Sequence, residues 1–148
     1  MTYIETEAAD ILLGGWNTVL EILLIVMALD YLTGVANAFK SHSVSSSAGY
    51  KGLVKKSTIF IIVILSAQID KMLGPDNHLF RDCTAISFSI NDALSILENA
   101  GSMGLKFPAF LYSALVKIQK QADNTGDKAV EAIHETAPSK IDAMHYEK

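Results

Sequence analysis

The chain has 148 residues and a mass of 16.0 kDa, enough for one ordinary domain, and half of its residues are hydrophobic. Only 19% are charged, whereas soluble domains carry about 25%, and the mean hydropathy is +0.28. A net charge of −4 argues against a nucleic-acid partner. The single cysteine, Cys83, excludes a disulfide scaffold. The four histidines are scattered without ligand spacing, so neither a metal ion nor a cofactor is expected.

Charged and apolar residues are separated into blocks along the chain. Residues 1–10 hold three acids and no base, and residues 11–39 carry only Glu21 and Asp30. Residues 57–69 carry no charge at all. This segregation is typical of a chain that crosses a membrane several times, because each transmembrane helix needs about 20 mostly apolar residues. The sequence therefore predicts an all-α membrane protein with three transmembrane helices.

The three predicted spans are separated by short connections. The first span covers residues 11–39 and follows an extracytoplasmic N-terminus at residues 1–10. The second span covers residues 53–73 and is followed by an extracytoplasmic turn at residues 74–78, which contains glycine and proline and so ends the helix. The third span covers residues 79–100 and is the least hydrophobic of the three.

Three acids in the first two spans are candidate functional residues, because an ionised carboxylate inside a bilayer is costly. Asp30 is predicted at the level of the lipid head groups, paired with Lys40 or Lys55. Glu21 is deeper in the span: protonated, it would hydrogen-bond to a neighbouring helix, and ionised, it would need a cation or water. Asp70 is predicted at the boundary that ends the second span.

The third span carries a stripe of polar residues along one side of the helix. We call the following residues the polar stripe: Thr84, Asn91, Asp92, Ser95, Glu98 and Asn99. A helix of this kind cannot lie alone in lipid, so the stripe must face other helices, another subunit or water. Two interpretations follow: the stripe lines water in an assembled state, or it forms helix–helix hydrogen bonds in a static bundle.

Four lysines set the predicted orientation. Lys40, Lys51, Lys55 and Lys56 lie in or beside a basic loop at residues 40–52, with no acid between them. Short basic loops stay in the cytoplasm, so this loop is predicted inside and the acidic N-terminus outside. Three spans then place the C-terminus inside.

The C-terminal part of the chain is predicted to be cytoplasmic. Residues 101–120 contain apolar residues at helical spacing with lysines on the flank, which predicts an amphipathic helix in the membrane interface. A helix that packs against neighbouring subunits is the alternative. Residues 121–148 are polar and mixed in charge, and they are predicted to form a mobile tail.

One stretch of the third span resembles a known family. Residues 91–99 read Asn-Asp-Ala-Leu-Ser-Ile-Leu-Glu-Asn, and Gly101, Gly104 and Pro108 follow them. This order is similar to the third span of the toxin-secretion/phage-lysis holin family, with Asp92 where the family often has Glu. Three further features fit that family: Ala-Leu-Asp-Tyr-Leu-Thr-Gly at residues 28–34, the stretch from Ser47 to Lys55-Lys56, and Asp70.

The resemblance implies a holin: a small phage or bacterial protein that accumulates in the bacterial cytoplasmic membrane and then oligomerises into lesions. The lesions would release a cell-wall hydrolase or a toxin and so time the lysis of the host cell. The partners implied are the lipid bilayer, further copies of the chain and the released protein. No enzyme activity is implied.

Two other classes of protein are compatible with the composition. A small reversible ion channel or transporter subunit would also need spans with buried polar residues, but it would pass ions only. In a soluble helical interaction domain, the apolar stretches would simply be core, because the 13 uncharged residues at 57–69 also suit a buried helix.

Overall fold

The computed structural model describes residues 3–43, 45–74 and 77–136, and these residues form five α-helices. The helices are α1 (Tyr3–Leu13), α2 (Thr18–Lys40), α3 (Ser46–Leu73), α4 (Leu79–Ser102) and α5 (Ala109–Thr136). The prediction of an all-α fold is confirmed for these residues. Two helical segments, Thr18–Lys40 and Gly49–Leu73, are long and apolar enough to cross a membrane.

The first predicted span is not one helix, because the chain breaks between Leu13 and Thr18. Gly14 and Gly15 have φ angles of +68° and +99°, a backbone conformation that side-chain-bearing residues rarely adopt. Asn17 then starts α2, since its side-chain oxygen accepts a hydrogen bond from the Leu20 amide at 3.1 Å. The long apolar helix therefore begins at Thr18 instead of residue 11, and residues of the predicted N-terminal segment belong to α1.

The basic loop is also shorter than predicted, because α3 begins at Ser46, whereas the predicted loop extends to residue 52. The Tyr31 ring of α2 packs beside the first turns of α3. A Cβ atom at Gly52 would lie 3.6 Å from this ring, and one at Gly49 would lie 3.8 Å from the Tyr31 hydroxyl. The sequence pattern predicts residues 46–52 to be loop, whereas they form the start of α3 and contact α2.

The C-terminal part differs most from the prediction. In place of an interfacial helix at 101–120 and a mobile tail from 121, α5 runs without a break from Ala109 to Thr136. It packs on α4 of its own chain. Residues 137–148 of the predicted tail lie outside the described residues.

Helix α4 is the centre of the arrangement, since α2, α3 and α5 each pack mainly on it and α2 has few contacts with α3. Hydrogen bonds from Asn17 to Asp82 and from Asn37 to Asn99 show that α2 and α4 run parallel. The Ser66–Thr84 hydrogen bond and the Lys56–Asp92 ion pair show that α3 is antiparallel to α4.

We call α2, α3 and α4 the three-helix unit. The buried apolar core lies in one half of this unit, near the start of α2. Its members are Leu13, Leu20, Leu23, Met27, Ile59, Val63 and Ala85. The other half of the unit, toward the end of α2, contains the ion pairs of Lys56 with Asp30 and Asp92 and the Asn37–Asn99 hydrogen bond. The apolar core and the Lys56 ion pairs therefore lie toward opposite ends of α4.

Candidate functional site

Three charged side chains from three helices meet between α2, α3 and α4. The Lys56 ammonium lies 2.7 Å from a carboxylate oxygen of Asp30 and 2.5 Å from one of Asp92. The Asp30 and Lys56 side chains are only 13% and 12% exposed, and that of Asp92 is 3% exposed. We call these residues the ion triad. It carries two formal negative charges against one positive charge, so the two acids share a single ammonium and a net charge of −1 is left.

The partner of Asp30 differs from the prediction. Asp30 pairs with Lys56, and neither Lys40 nor Lys55 is its partner. Lys40 instead donates to the carbonyl oxygens of Ser102 and Met103 at the C-terminal end of α4, where a cation interacts favourably with the helix dipole. Lys55 is exposed.

The polar stripe is largely used in contacts between helices. Thr84 shares a hydrogen bond of 3.0 Å with Ser66 of α3. Asn99 accepts from Asn37 and donates to Thr33, each at 3.4 Å, and both partners lie in α2. Together with the buried position of Asp92, these contacts place half of the stripe inside the three-helix unit.

Three members of the stripe remain more open. Asn91 is exposed and accepts a hydrogen bond from Gln119 of α5 at 3.0 Å. Glu98 is also exposed, seven residues further on and so on the same side of the helix. Ser95 is half-buried and lines a cavity beside the ion triad.

That cavity, of about 500 Å³, lies between α2, α3 and α4. Asp30 and Lys56 form part of its wall, and Val35 and Phe39 contribute apolar surface. The ion triad therefore borders an open space and is not enclosed by close-packed side chains.

At the opposite end of α4, the chain's single arginine is hydrogen-bonded to the backbone between α1 and α2. Arg81 is 1% exposed, and one of its terminal nitrogens donates to the carbonyl oxygens of Leu13, Gly14 and Gly15 at 2.6, 3.3 and 3.1 Å. Its Nε donates to Asp82 at 2.9 Å. The guanidinium thus satisfies carbonyl groups that the end of α1 leaves without helical partners.

Sequence reasoning missed Arg81, although a signal was present. It is an ionisable residue inside the predicted third span, and by that criterion alone it is a candidate for a buried polar contact. The orientation was predicted from the lysines alone, without Arg81.

Asp70 has a defined structural role at the same end of the molecule. It is 1% exposed, and its carboxylate accepts hydrogen bonds from the Phe80 and Arg81 amides at 3.0 and 2.8 Å. It therefore caps the N-terminus of α4, a position that favours a negative charge. Glu21, by contrast, is exposed near the start of α2, as is Lys51 in the first turns of α3.

The outward sides of α2 and α3 are apolar. Ile25 and Leu32 on α2, and Ile61 and Leu65 on α3, are each more than half exposed. Large apolar side chains grouped in this way on an outer surface mark a membrane or protein contact.

The family model described as the bacteriophage holin family matches residues 7–120 of this chain. The chain belongs to this family. The match covers α2, α3 and α4 completely and reaches into α5. The resemblance to holins is therefore confirmed, and the holin family is not an enzyme family. Family membership and the two apolar helices point to the bacterial cytoplasmic membrane.

Individual relatives are similar over most of their length. A probable holin of Bacillus phage phi105 is 29% identical over 128 residues, covering 86% of this chain and 94% of the relative. An uncharacterized protein of Halalkalibacterium halodurans is 36% identical over 112 residues, covering 73% and 83%. One of Clostridium perfringens strain 13 is 33% identical over 108 residues, covering 73% and 80%. No solved structure matches the chain.

The sequence motifs that carry the holin resemblance meet at one place in the structure. Asp30 belongs to the motif in α2, Lys56 ends the lysine pair in α3, and Asp92 belongs to the motif in α4. Two further residues of these motifs, Thr33 and Asn99, are hydrogen-bonded to each other, one turn beyond Asp30 and two turns beyond Asp92. Motifs that are far apart in the sequence therefore form one contact region between three helices.

Proposed function

We propose that this chain is a holin that oligomerises in the bacterial cytoplasmic membrane and forms lesions. Through these lesions a cell-wall hydrolase or a toxin would leave the cell, and host lysis would follow. The observation that carries the proposal is the family match over residues 7–120, which includes every helix joined by the ion triad.

The packing of α4 supports three transmembrane helices. α4 lies beside α2 from Asp82 to Asn99 and beside α3 from Arg81 to Asp92. If α2 and α3 cross the bilayer, α4 lies at the same depth and crosses with them. Its acid Asp92 is then supported by the Lys56 ammonium, because an ionised group in a membrane interior requires a partner.

The orientation follows from the lysines near the ends of these helices. Lys40, Lys51 and Lys55 lie at the end where α2 finishes and α3 begins, and we place that end in the cytoplasm. The opposite end, with the break between α1 and α2 and the turn between α3 and α4, is then outside. The chain re-enters the cytoplasm after Ser102.

Controlled expression in a bacterial host tests the proposal. The wild-type chain should remain in the membrane after alkaline carbonate extraction and should release a cytoplasmic marker enzyme abruptly after a delay. Leu65→Arg, on the apolar side of α3, should reduce both membrane retention and release. Leu65→Met, which keeps an apolar side chain at the same exposed position, is the matched control and should behave like the wild type.

Two outcomes would contradict the proposal in different ways. A chain that collapses the membrane potential without releasing the marker enzyme would be a small channel. A chain that alkaline carbonate removes from the membrane would be a peripheral or soluble helical protein.

A further inference from the structure

Helix α5 lies along α4 over most of its length, in the opposite direction. Gln119 contacts Asn91 at the middle of α4, and Asp123 accepts a hydrogen bond from Ser87 one turn nearer the α4 N-terminus. Val130 lines a cavity together with Phe80, at the beginning of α4. α5 is therefore at the same depth as α4 and runs from its C-terminal end toward its N-terminal end.

The two sides of α5 differ in chemistry. The side toward α4 repeats every three or four residues and includes the buried Ala122 and the half-buried Gln119, Gly126 and Ala129. The outer side carries most of the charged residues from 117 onward, with the exposed apolar residues Ile118 and Val130 among them. We call these exposed charged residues the charged face: Lys117, Lys120, Asp127, Lys128 and Glu131.

The charged face cannot contact the hydrocarbon of a bilayer, because each ionised side chain there is costly and these residues lie beside the middle and outer half of α4. The apolar sides of α2 and α3, in contrast, suit lipid. A chain with one apolar flank and one charged flank at the same depth needs lipid on one side and water on the other.

We infer that the charged face of α5 lines the aqueous lumen of the assembled oligomer, with α5 still docked on α4. This inference rests on the proposed function, since it assumes that copies of the chain surround water. Asn91 and Glu98, the exposed residues of the polar stripe, lie beside α5 or along the same side of α4 and continue the hydrophilic surface. The rest of the stripe holds the helices together.

Cysteine labelling in liposomes tests which surfaces meet water. In a Cys83→Ala background, Lys120→Cys and Lys128→Cys probe the charged face, and Ile25→Cys and Leu65→Cys probe the apolar flank. All four positions are exposed in the single chain, so they differ in surroundings and not in burial. A membrane-impermeant thiol reagent should modify the α5 cysteines at least roughly tenfold faster, because the reactive thiolate does not form in lipid.

A cross-link distinguishes a docked α5 from one that has moved away into bulk water. In the same Cys83→Ala background, Ser87→Cys and Asp123→Cys replace two side chains that are hydrogen-bonded at 3.3 Å, and their disulfide would hold α5 on α4. Liposomes with the oxidised variant should still release an entrapped marker enzyme, and reduction should leave the rate unchanged.

The results separate this inference from the proposed function. Release that stops on oxidation and returns on reduction would show that α5 must leave α4, and it would overturn the inference. Release by a protein whose α5 cysteines react as slowly as those on α2 and α3 would overturn it as well. A wild-type protein that inserts but releases nothing would contradict the proposed function itself. It would then also contradict the inference that α5 lines a lumen.

Discussion

The two flanks of α4 are held by different kinds of contact. Toward α2 and α3, α4 contributes Asp92 to a buried ion triad and Ala85 to the apolar core. Toward α5, its hydrogen bonds are exposed, and a cavity of about 450 Å³ separates Phe88 and other side chains of α4 from α5. The outer surfaces differ too, since one flank presents apolar side chains and the other presents charges.

This difference indicates that α2, α3 and α4 form the stable unit and that α5 is an attached element. Buried polar contacts are costly to break because they leave unpaired groups, whereas exposed hydrogen bonds exchange readily with water. The following four changes test that division, in order of decreasing expected effect on the free energy of unfolding. Each is measured by titrating the purified protein in mixed micelles with a denaturing detergent.

Lys56→Met should have the largest effect. It leaves Asp30 and Asp92 buried without their cation, and breaking a buried ion pair in this way costs about 3–5 kcal/mol. Lys55→Met is the matched control, because the neighbouring side chain is exposed, and it should change the free energy by less than about 0.5 kcal/mol. Equal stability of the two variants would contradict the role assigned to the ion triad.

Leu23→Ala should come next. Leu23 is 1% exposed in the apolar core, and truncation of a buried leucine typically costs about 2–5 kcal/mol. Leu24→Ala makes the same chemical change at the adjacent, outward-facing position and should cost clearly less. If both variants lose the same stability, the assignment of the inner and outer sides of α2 is wrong.

Ser66→Ala should have a small effect on the same flank. Its hydroxyl is hydrogen-bonded to Thr84, and such contacts between membrane helices average about 0.6 kcal/mol. Thr58→Ala removes a hydroxyl bonded only within α3, to the Val54 carbonyl, and serves as the comparison. A double-mutant cycle of Ser66 and Thr84 should show coupling, and additive losses would argue against the contact.

Gln119→Ala should have the smallest effect, within about 0.5 kcal/mol, because its hydrogen bond to Asn91 is exposed. Hydrogen exchange provides the parallel measurement. The backbone amides of α5 should exchange faster than those of α4, since weakly held elements open locally. Equal protection of the two helices would mean that α5 belongs to the stable unit.

The sequence predicted the helical class and the chemistry of the chain well. Long apolar blocks and segregated charges identify the membrane-type helices, because the bilayer imposes a length and a composition. The sequence also predicted the turn after Leu73 correctly, since α3 ends at the last residue of the predicted second span. These features depend on local composition, which a single chain displays directly.

The sequence did not predict the pairing between distant residues to the same extent. Asp30 was predicted to pair with Lys40 or Lys55, whereas its partner is Lys56, the residue next to Lys55. Only the packing of α3 against α2 and α4 selects Lys56. Likewise, α5 extends beyond residue 120 because α4 covers one side of it, and the composition of that segment alone resembles a solvated tail.

The hydrogen bonds of Arg81 to Leu13, Gly14 and Gly15 have a consequence for biosynthesis. The acceptors leave the ribosome 66 to 68 residues before the guanidinium does. At about 5–20 residues per second, this delay lasts roughly 3–14 s. The amino-terminal junction is therefore completed only after most of the polypeptide has been translated, so nascent chains halted before residue 81 should be cut there more readily by an added protease.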